Sequence, residues 1–214
     1  MDIEVNNLDL GYEQCASLHS IVTSTGKNTI TGENTITGVY VLNNLAENIG
    51  NLEIHWIGSD ATEHINNLKK VYKALGILLS EAKVISAETA EKIIAIQSVR
   101  NANSGSGSVG DSLDRSSIDI QAMNDSEPTE KYYVDPAAAS DYTSLSQICT
   151  DYETFINNFK NIKSELFENW LAGSNRERAV TAFNEFESNE AEYKKYLTNA
   201  RDELGVAVGN IKQI

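Results

Sequence analysis

Proline is nearly absent from this sequence. Only Pro128 and Pro136 occur among its 214 residues, and both lie in one central stretch. Because proline interrupts helices, the chain keeps a long run on either side of that stretch that is free to be helical. Hydrophobic residues make up 41% of the chain, which is enough for a core and excludes a wholly disordered protein.

Basic residues are also scarce. Lys and Arg number 17 against 31 Asp and Glu, which gives a net charge of −14. Nucleic-acid binding depends on clustered Lys and Arg, so we expect no nucleic-acid partner. Attachment to an anionic membrane surface by charge alone is disfavoured for the same reason.

Long apolar runs are missing as well. The best candidate, Leu75 to Leu79, is far shorter than the roughly 20 residues that a membrane-spanning helix needs. Residues 1–7 have neither the basic start nor the apolar stretch of a conventional signal peptide. We therefore expect a chain that is made in the cytoplasm and, if it is secreted, leaves without a cleaved signal peptide.

Patterns for catalysis and metal binding are lacking too. His55 and His64 flank one predicted turn without a recognised metal-ligand spacing, so we predict histidines on the surface. Cys15 and Cys149 form no disulfide framework and are predicted to be buried free thiols. Carboxylates such as Glu190 fit an exposed helix face, with Lys194 as the partner four residues on. The chain is therefore predicted not to be an enzyme and to have no metal or cofactor.

Helical periodicity is what the sequence does contain. The clearest pattern is a heptad repeat that continues, less strictly, through Thr89, Ile93 and Ile96. Its regular members are Ala61, Ile65, Leu68, Tyr72, Leu75, Leu79 and Ala82. Such a seam predicts a long helix that packs lengthwise on a partner. Three-four spacing predicts further helical segments within residues 5–24, 39–56, 137–169 and 179–211.

Two stretches interrupt this pattern. Residues at about 25–38 repeat a hexad rich in Gly, Asn and Thr, which are poor helix formers, and we predict a loop or small β-hairpin inserted into the first helix. Residues 101–134 include Gly/Ser-rich residues 103–108, a composition typical of flexible linkers. A linker of this length spans about 100 Å when extended. Packing of the two halves within one molecule and hairpin exchange between two molecules both stay open.

The two halves match each other before two tryptophan-containing turns. Leu42-Asn43-Asn44-Leu45, Leu52 and Trp56 align at a constant offset with Ile156-Asn157-Asn158-Phe159, Leu166 and Trp170. Residues 1–100 and 135–214 are therefore predicted to form helical hairpins that turn at Trp56-Ile57-Gly58 and at Trp170-Leu171-Ala172-Gly173. One hairpin buries too little surface to be stable alone. We predict an all-α fold in which both hairpins form a four-helix bundle.

With these turns the sequence resembles the WXG100 (ESAT-6-like) family of type VII secretion. Members of that family are helical hairpins about half as long as this chain, with Trp-x-Gly in the turn, and they pair as antiparallel four-helix bundles. Trp56-Ile57-Gly58 matches the motif, whereas residues 170–173 depart from it by one inserted residue. The resemblance implies two fused hairpins in which Trp56, Gly58, Trp170 and Gly173 form the turns and belong to a secretion signal.

The resemblance also implies a function. The chain would be a non-enzymatic substrate or adaptor of a type VII secretion system, with the export machinery or a co-secreted helical protein as its partner. The family's C-terminal Tyr-x-x-x-Asp/Glu element is missing, because Leu197 follows Tyr193 and Ala200 follows Tyr196 at that spacing. Two alternatives stay open. A helical scaffolding protein predicts two buried indole rings and no link to export, and a membrane-disrupting effector predicts leakage of vesicles.

Overall fold

The chain folds into helices joined by very short strands. The computed structural model describes residues 3–24, 35–105 and 109–211. Within these ranges the elements are β1 (Glu4–Val5), α1 (Leu8–Thr23), α2 (Gly38–His55), β2 (Trp56–Ile57), α3 (Ser59–Ser104), β3 (Tyr133–Val134), α4 (Ala138–Asn169), β4 (Trp170–Ala172) and α5 (Ser174–Ile211). The prediction of an all-α fold is confirmed.

The first predicted helix is divided into α1 and α2. α1 begins at Leu8, within the predicted range of residues 5–24, because Asn7 caps it by accepting hydrogen bonds from the amides of Asp9 and Leu10, as a preferred N-cap residue does. Residues 25–34 of the predicted insertion lie outside the described residues. At its edges, the hydroxyl of Thr37 donates to the carbonyl oxygen of Ser24 at 2.5 Å, which brings the end of α1 close to the start of α2.

The long helix predicted from the heptad repeat is α3, which has 46 residues. All seven regular members of the repeat are buried, none of them more than 3% exposed. α3 lies against α1 and α2 on one side and against α5 on another. It continues past the predicted boundary at residue 100 and ends at Ser104, where Gly105 has a left-handed φ of 72°. A glycine in this conformation is a common helix terminator.

α4 runs antiparallel to α1 and α2. Near the end of α2, the side-chain amide of Asn48 donates to the carbonyl oxygen of Asp141, close to the start of α4, at 3.0 Å. In α1, the side-chain amide of Gln14 donates to the carbonyl oxygen of Glu165, close to the end of α4, at 2.9 Å. The start of each half therefore lies beside the turn of the other.

Charged side chains connect α5 to both of its neighbours. Arg178, near the start of α5, lies 2.7 Å from Glu81 of α3. Lys194 lies 2.9 Å from Glu153 of α4, and Glu190 pairs with Lys160 of the same helix. The predicted pair between Glu190 and Lys194 was wrong, because each of these side chains reaches a partner on α4 instead of its neighbour along α5.

Residues matched in the sequence are also matched in burial. The apolar members of both sets are buried, none of them more than 4% exposed. The first asparagine of each pair is exposed and the second is half-buried, in α2 as in α4. The members are Leu42, Asn43, Asn44, Leu45, Leu52 and Trp56 in one half and Ile156, Asn157, Asn158, Phe159, Leu166 and Trp170 in the other.

Residues 109–132, here called the strap, have no helix or strand and run back along α3. The composition predicts a flexible linker in this part of the chain, and the structure places it against the helix. Ile120 lies over Gly76, where an added Cβ would be 3.0 Å from its side chain. The amide of Gln121 donates to the hydroxyl of Tyr72 at 2.9 Å. The small residue at position 76 allows this close approach.

Two buried lysines of α3 also bind the strap. The ammonium of Lys69 donates to the hydroxyl of Ser126 at 2.8 Å, and that of Lys83 donates to Asp114 at 2.8 Å and to Ser116 at 2.9 Å. Both lysines are at most 6% exposed, and a buried ammonium requires such partners. Hydrogen bonds from Lys83 and Ser116 hold the pKa of Asp114 well below its usual value.

Candidate functional site

The first tryptophan turn is an extended pair of residues between two helices. Trp56 ends α2 with φ −132° and ψ 97°, and Gly58 has φ 154° and ψ 167° before α3 begins. The carbonyl oxygen of Gly58 accepts hydrogen bonds from the amide and the hydroxyl of Thr62, at 2.9 and 2.8 Å. The indole ring of Trp56 is 4% exposed and stacks on His64 with ring centres 5.7 Å apart.

A strand from the second half pairs with this turn. In the antiparallel pair of β2 and β3, Trp56 is opposite Val134 and Ile57 is opposite Tyr133. The amide of Asp135 then donates to the carbonyl oxygen of His55 at 2.8 Å. The segment that leads into α4 is therefore hydrogen-bonded to the turn between α2 and α3.

His55 forms a side-chain contact between the halves that the sequence did not reveal. Its Nδ1 lies 2.7 Å from Oδ2 of Asp141, which accepts the hydrogen bond. The Asp141 side chain is 5% exposed and the imidazole 25% exposed, so the predicted surface position of His55 was only partly correct. The contact ties the residue before Trp56 to the first turn of α4.

The second turn has the same backbone plan. Trp170 ends α4 with φ −95° and ψ 98°, and Gly173 has a φ of 128°. The carbonyl oxygen of Gly173 accepts a hydrogen bond from the amide of Glu177 at 3.1 Å. The Trp170 ring is 1% exposed and lies 6.1 Å from the ring of Phe167. Its Nε1 meets no hydrogen-bond partner in the part of the chain that the structure describes.

A β-bulge accommodates the residue inserted in the second turn. β1 pairs antiparallel with β4, with Val5 opposite Trp170 and Glu4 opposite Ala172. Leu171 falls between these pairs and is 45% exposed. An extra residue on one strand is what defines a bulge. The insertion therefore lengthens the turn without moving Gly173 from the place that Gly58 has in the first turn.

Asn169 occupies the position that His55 has in the first turn. Its carbonyl oxygen accepts a hydrogen bond from the amide of Asn6 at 2.9 Å. Its side chain accepts from the amide of Asn7 at 2.9 Å and donates to the carbonyl oxygen of Asn7 at 3.0 Å. Each turn is thus bound by the residues that precede the first helix of the other half.

A sequence signal for this arrangement exists, although it is short. Val5-Asn6 and Val134-Asp135 stand just before the first helix of their halves. In both, the valine pairs with a tryptophan. The backbone amide of the residue after the valine donates a hydrogen bond to the carbonyl oxygen of the residue before that tryptophan. Two residues are too few to show a strand by periodicity.

No family model, curated protein or solved structure matches the chain. Its own geometry therefore carries the functional argument. The predicted site residues Trp56 and Gly58 lie at one turn and Trp170 and Gly173 at the other, at opposite ends of the long helices.

Among residues 3–24, 35–105 and 109–211, no three His, Cys, Asp or Glu side chains are grouped to hold a metal ion. No helix in these ranges is long and apolar enough to cross a membrane. Cys15 and Cys149 are buried free thiols, as predicted. Burial raises the pKa of Cys15 to about 12 and that of Cys149 to about 11, which leaves both unreactive.

An apolar groove separates the helices that follow the two turns. It lies between α3 and α5, has a volume of about 450 Å³ and includes Ile77 and Phe186 in its lining. Glu81 and Arg178 at its edge pair with each other. The groove offers apolar contacts, and its lining also includes Glu185, a carboxylate for which no ion pair is recorded among the described residues.

Proposed function

We propose that the two halves are helical hairpins forming one four-helix bundle, as a fused counterpart of a WXG100 pair. The observation that carries this proposal is the reciprocal binding of the turns. β3 of the second half pairs with the turn of the first, and β1 of the first half pairs with the turn of the second. Such an exchange is what two hairpins packed antiparallel and head to tail would produce.

On this basis the protein is a non-enzymatic substrate or adaptor of a type VII secretion system. It acts through its helical surfaces and turns. Its partner is the export machinery or a co-secreted helical protein. The strap joins two hairpins that are separate chains in the family, so one polypeptide supplies both halves of the pair and hairpin exchange between molecules is not needed.

The tryptophans contribute to this function from inside the protein. Both rings are buried, 4% exposed at Trp56 and 1% at Trp170, so neither is a contact surface for a partner. Their role is to fix the end of a helix beside a glycine with positive φ. A partner would therefore contact exposed side chains of the helices and turns and not the tryptophans.

A scaffolding protein is the second candidate, and one observation favours it. Two buried indole rings are what that alternative predicts, and both rings are buried.

The missing secretion element also has a structural reason. Leu197 and Ala200, which stand where its acid would follow Tyr193 or Tyr196, are at most 1% exposed and face the core.

Export separates the two candidates. The tagged protein is expressed in a Gram-positive host with and without its type VII ATPase, together with any co-encoded partner, and the medium is assayed. ATPase-dependent appearance in the medium, without release of a cytoplasmic marker, is the expected result. Retention of the folded protein in both strains would contradict the secretion proposal and leave the scaffold.

A further inference from the structure

Two adjacent tyrosines are exposed at the first turn. Tyr132 is 70% exposed and Tyr133 is 50% exposed. Tyr133 is the strand partner of Ile57, and Tyr132 covers Gly58, where an added Cβ would lie 3.2 Å from its ring. These three side chains, Ile57, Tyr132 and Tyr133, are called the tyrosine patch. They are attached to the turn itself.

The patch is held in place before any partner arrives. The hydroxyl of Tyr133 donates to Oδ2 of Asp135 at 2.7 Å, and Oδ1 of Asp135 accepts from the amide of Ala137 at 2.8 Å. A side chain fixed in advance loses less entropy when it is bound. Tyrosine is also enriched among the residues that dominate interface energetics.

Exposed carboxylates lie close to the patch along the chain. Asp60, Glu63, Glu127 and Glu130 are exposed, and no ion pair recorded among the described residues includes any of them. In residues 53–63 and 127–137 the sequence has one lysine, Lys131, and no arginine. The two segments that form the patch therefore have an excess of negative charge.

The second turn differs in its exposed apolar side chains. It exposes Leu171 and has no tyrosine within residues 168–175. Arg176 stands beside it and donates to the carbonyl oxygen of Trp170 at 2.6 Å. The second turn also has exposed carboxylates, Glu4, Glu168 and Glu177, and no ion pair recorded among the described residues includes them. The exposed aromatic rings therefore distinguish the first turn from the second.

We infer that the tyrosine patch docks a partner protein through a basic surface that surrounds an apolar hollow. The rings would fill the hollow, and Lys or Arg side chains of the partner would face the carboxylates. Complementary charge of this kind increases the association rate and selects the partner. The inference deepens the proposed function, since the partner would be a subunit of the export machinery or a co-secreted protein.

A phage-displayed peptide library selected on the full protein tests the patch without reference to export. We expect enriched peptides that combine Lys or Arg with large apolar residues and bind more weakly at high salt. Tyr132→Ser should weaken their binding at least about tenfold. Leu171→Ser, the matched change at the second turn, should leave their affinity unchanged. Both variants should unfold at the wild-type temperature, because both side chains are exposed.

Three results would overturn the inference: no enrichment, enriched peptides without basic residues, or equal binding to wild type and Tyr132→Ser. Export of the same variants tests the proposed function separately. If the wild type is exported, loss with Tyr132→Ser but not with Leu171→Ser supports the patch as the export contact, and equal export overturns that role. If the wild type is not exported, the proposed function fails while the peptide selection still decides the docking surface.

Discussion

The two turns have the same backbone conformation but differ in the side chains that hold it in place. In both, an extended tryptophan precedes a glycine of positive φ and pairs with a strand from the other half. The fastening residue is His55 in the first turn, bound to a carboxylate, and Asn169 in the second, bound to backbone groups. The comparison teaches that the hydrogen bonds of the paired backbone define the turn, since the side-chain fastening changes from ionisable to neutral without changing it.

The two halves also differ along their length. In the first half, buried Lys69 and Lys83 of α3 bind the strap. In the second, exposed or half-buried ion pairs such as Lys163–Glu187, at 2.5 Å, connect α4 to α5. Buried charges with several hydrogen bonds are sensitive to the loss of one partner, whereas surface pairs contribute little. The first half should therefore be more sensitive to removal of a single charge.

The largest loss of stability is expected when the buried indole ring of the second turn is removed. Trp170→Ala should lower the free energy of unfolding by about 3–5 kcal/mol, because the ring is buried against Phe167. Trp56→Ala should cost about 3 kcal/mol, at the lower end of that range, because its stacking partner His64 is itself half-buried. Urea denaturation followed by circular dichroism measures both changes.

Leu171→Ala is the control for this comparison. Leu171 adjoins Trp170 and is 45% exposed, so its truncation should change the free energy of unfolding by less than about 0.5 kcal/mol. A cost of less than about 1 kcal/mol for Trp170→Ala would show that the ring is not a core residue. Loss of export in a Trp170→Ala protein that remains fully folded would also contradict the internal role proposed for the ring.

The glycines of the turns should come next in effect. Gly58→Ala and Gly173→Ala force a side chain into φ values of 154° and 128°, a strain of about 1–3 kcal/mol each. Gly58→Ala also places a Cβ 3.2 Å from the ring of Tyr132, so it should be the more damaging. Gly50→Ala in α2 is the control, because its added Cβ meets nothing within 4 Å. This substitution should stabilise the helix by about 0.5–1 kcal/mol. Equal stability of all three variants would remove the positive φ as a requirement of the turns.

The helices and turns could be predicted because their signals are local. The heptad repeat identified α3, and Trp56 and Trp170 marked the ends of α2 and α4. The strands could not be predicted, since each has two or three residues and its partner lies in the other half. A pairing between distant segments leaves no periodicity in either one.

The contacts of the strap were missed for a different reason. Gly and Ser in residues 103–108, just before the strap, predict a flexible linker, although the strap itself contains apolar residues. Ile120 and Met123 are partly buried against the core. What makes room for Ile120 is Gly76 in the middle of α3, a residue that looks unfavourable for a helix until its neighbour is known. The contact between His55 and Asp141 could not be predicted from the sequence either, because it depends on how the two halves pack against each other.

The fastening residues should show a coupling of intermediate size. In a double-mutant cycle, His55→Ala and Asp141→Ala should be coupled by about 1–2 kcal/mol, because the hydrogen bond to a nearly buried carboxylate is lost in each single variant. Asn169→Ala should cost a similar amount, about 1–2 kcal/mol, since two backbone groups of Asn7 lose their partner. Coupling near zero at His55, with a full cost at Asn169, would mean that the first turn depends on its strand pairing alone.

The smallest effects are local and concern the charges along the two halves. The pKa of Asp114 is lowered in the folded protein by hydrogen bonds from Lys83 and Ser116, so its contribution is fully present above the unfolded pKa of about 3.9 and is lost as the pH falls below it. Hydrogen exchange should therefore show the amides of Ser116 and Gln121 losing protection in acid, before the helices unfold. Asp114→Asn should lower the protection of these two amides at neutral pH, whereas Lys163→Met in the second half should leave it unchanged. Equal protection of these amides in wild type and Asp114→Asn at neutral pH would mean that Ile120 over Gly76, and not the buried lysine, holds this segment to α3.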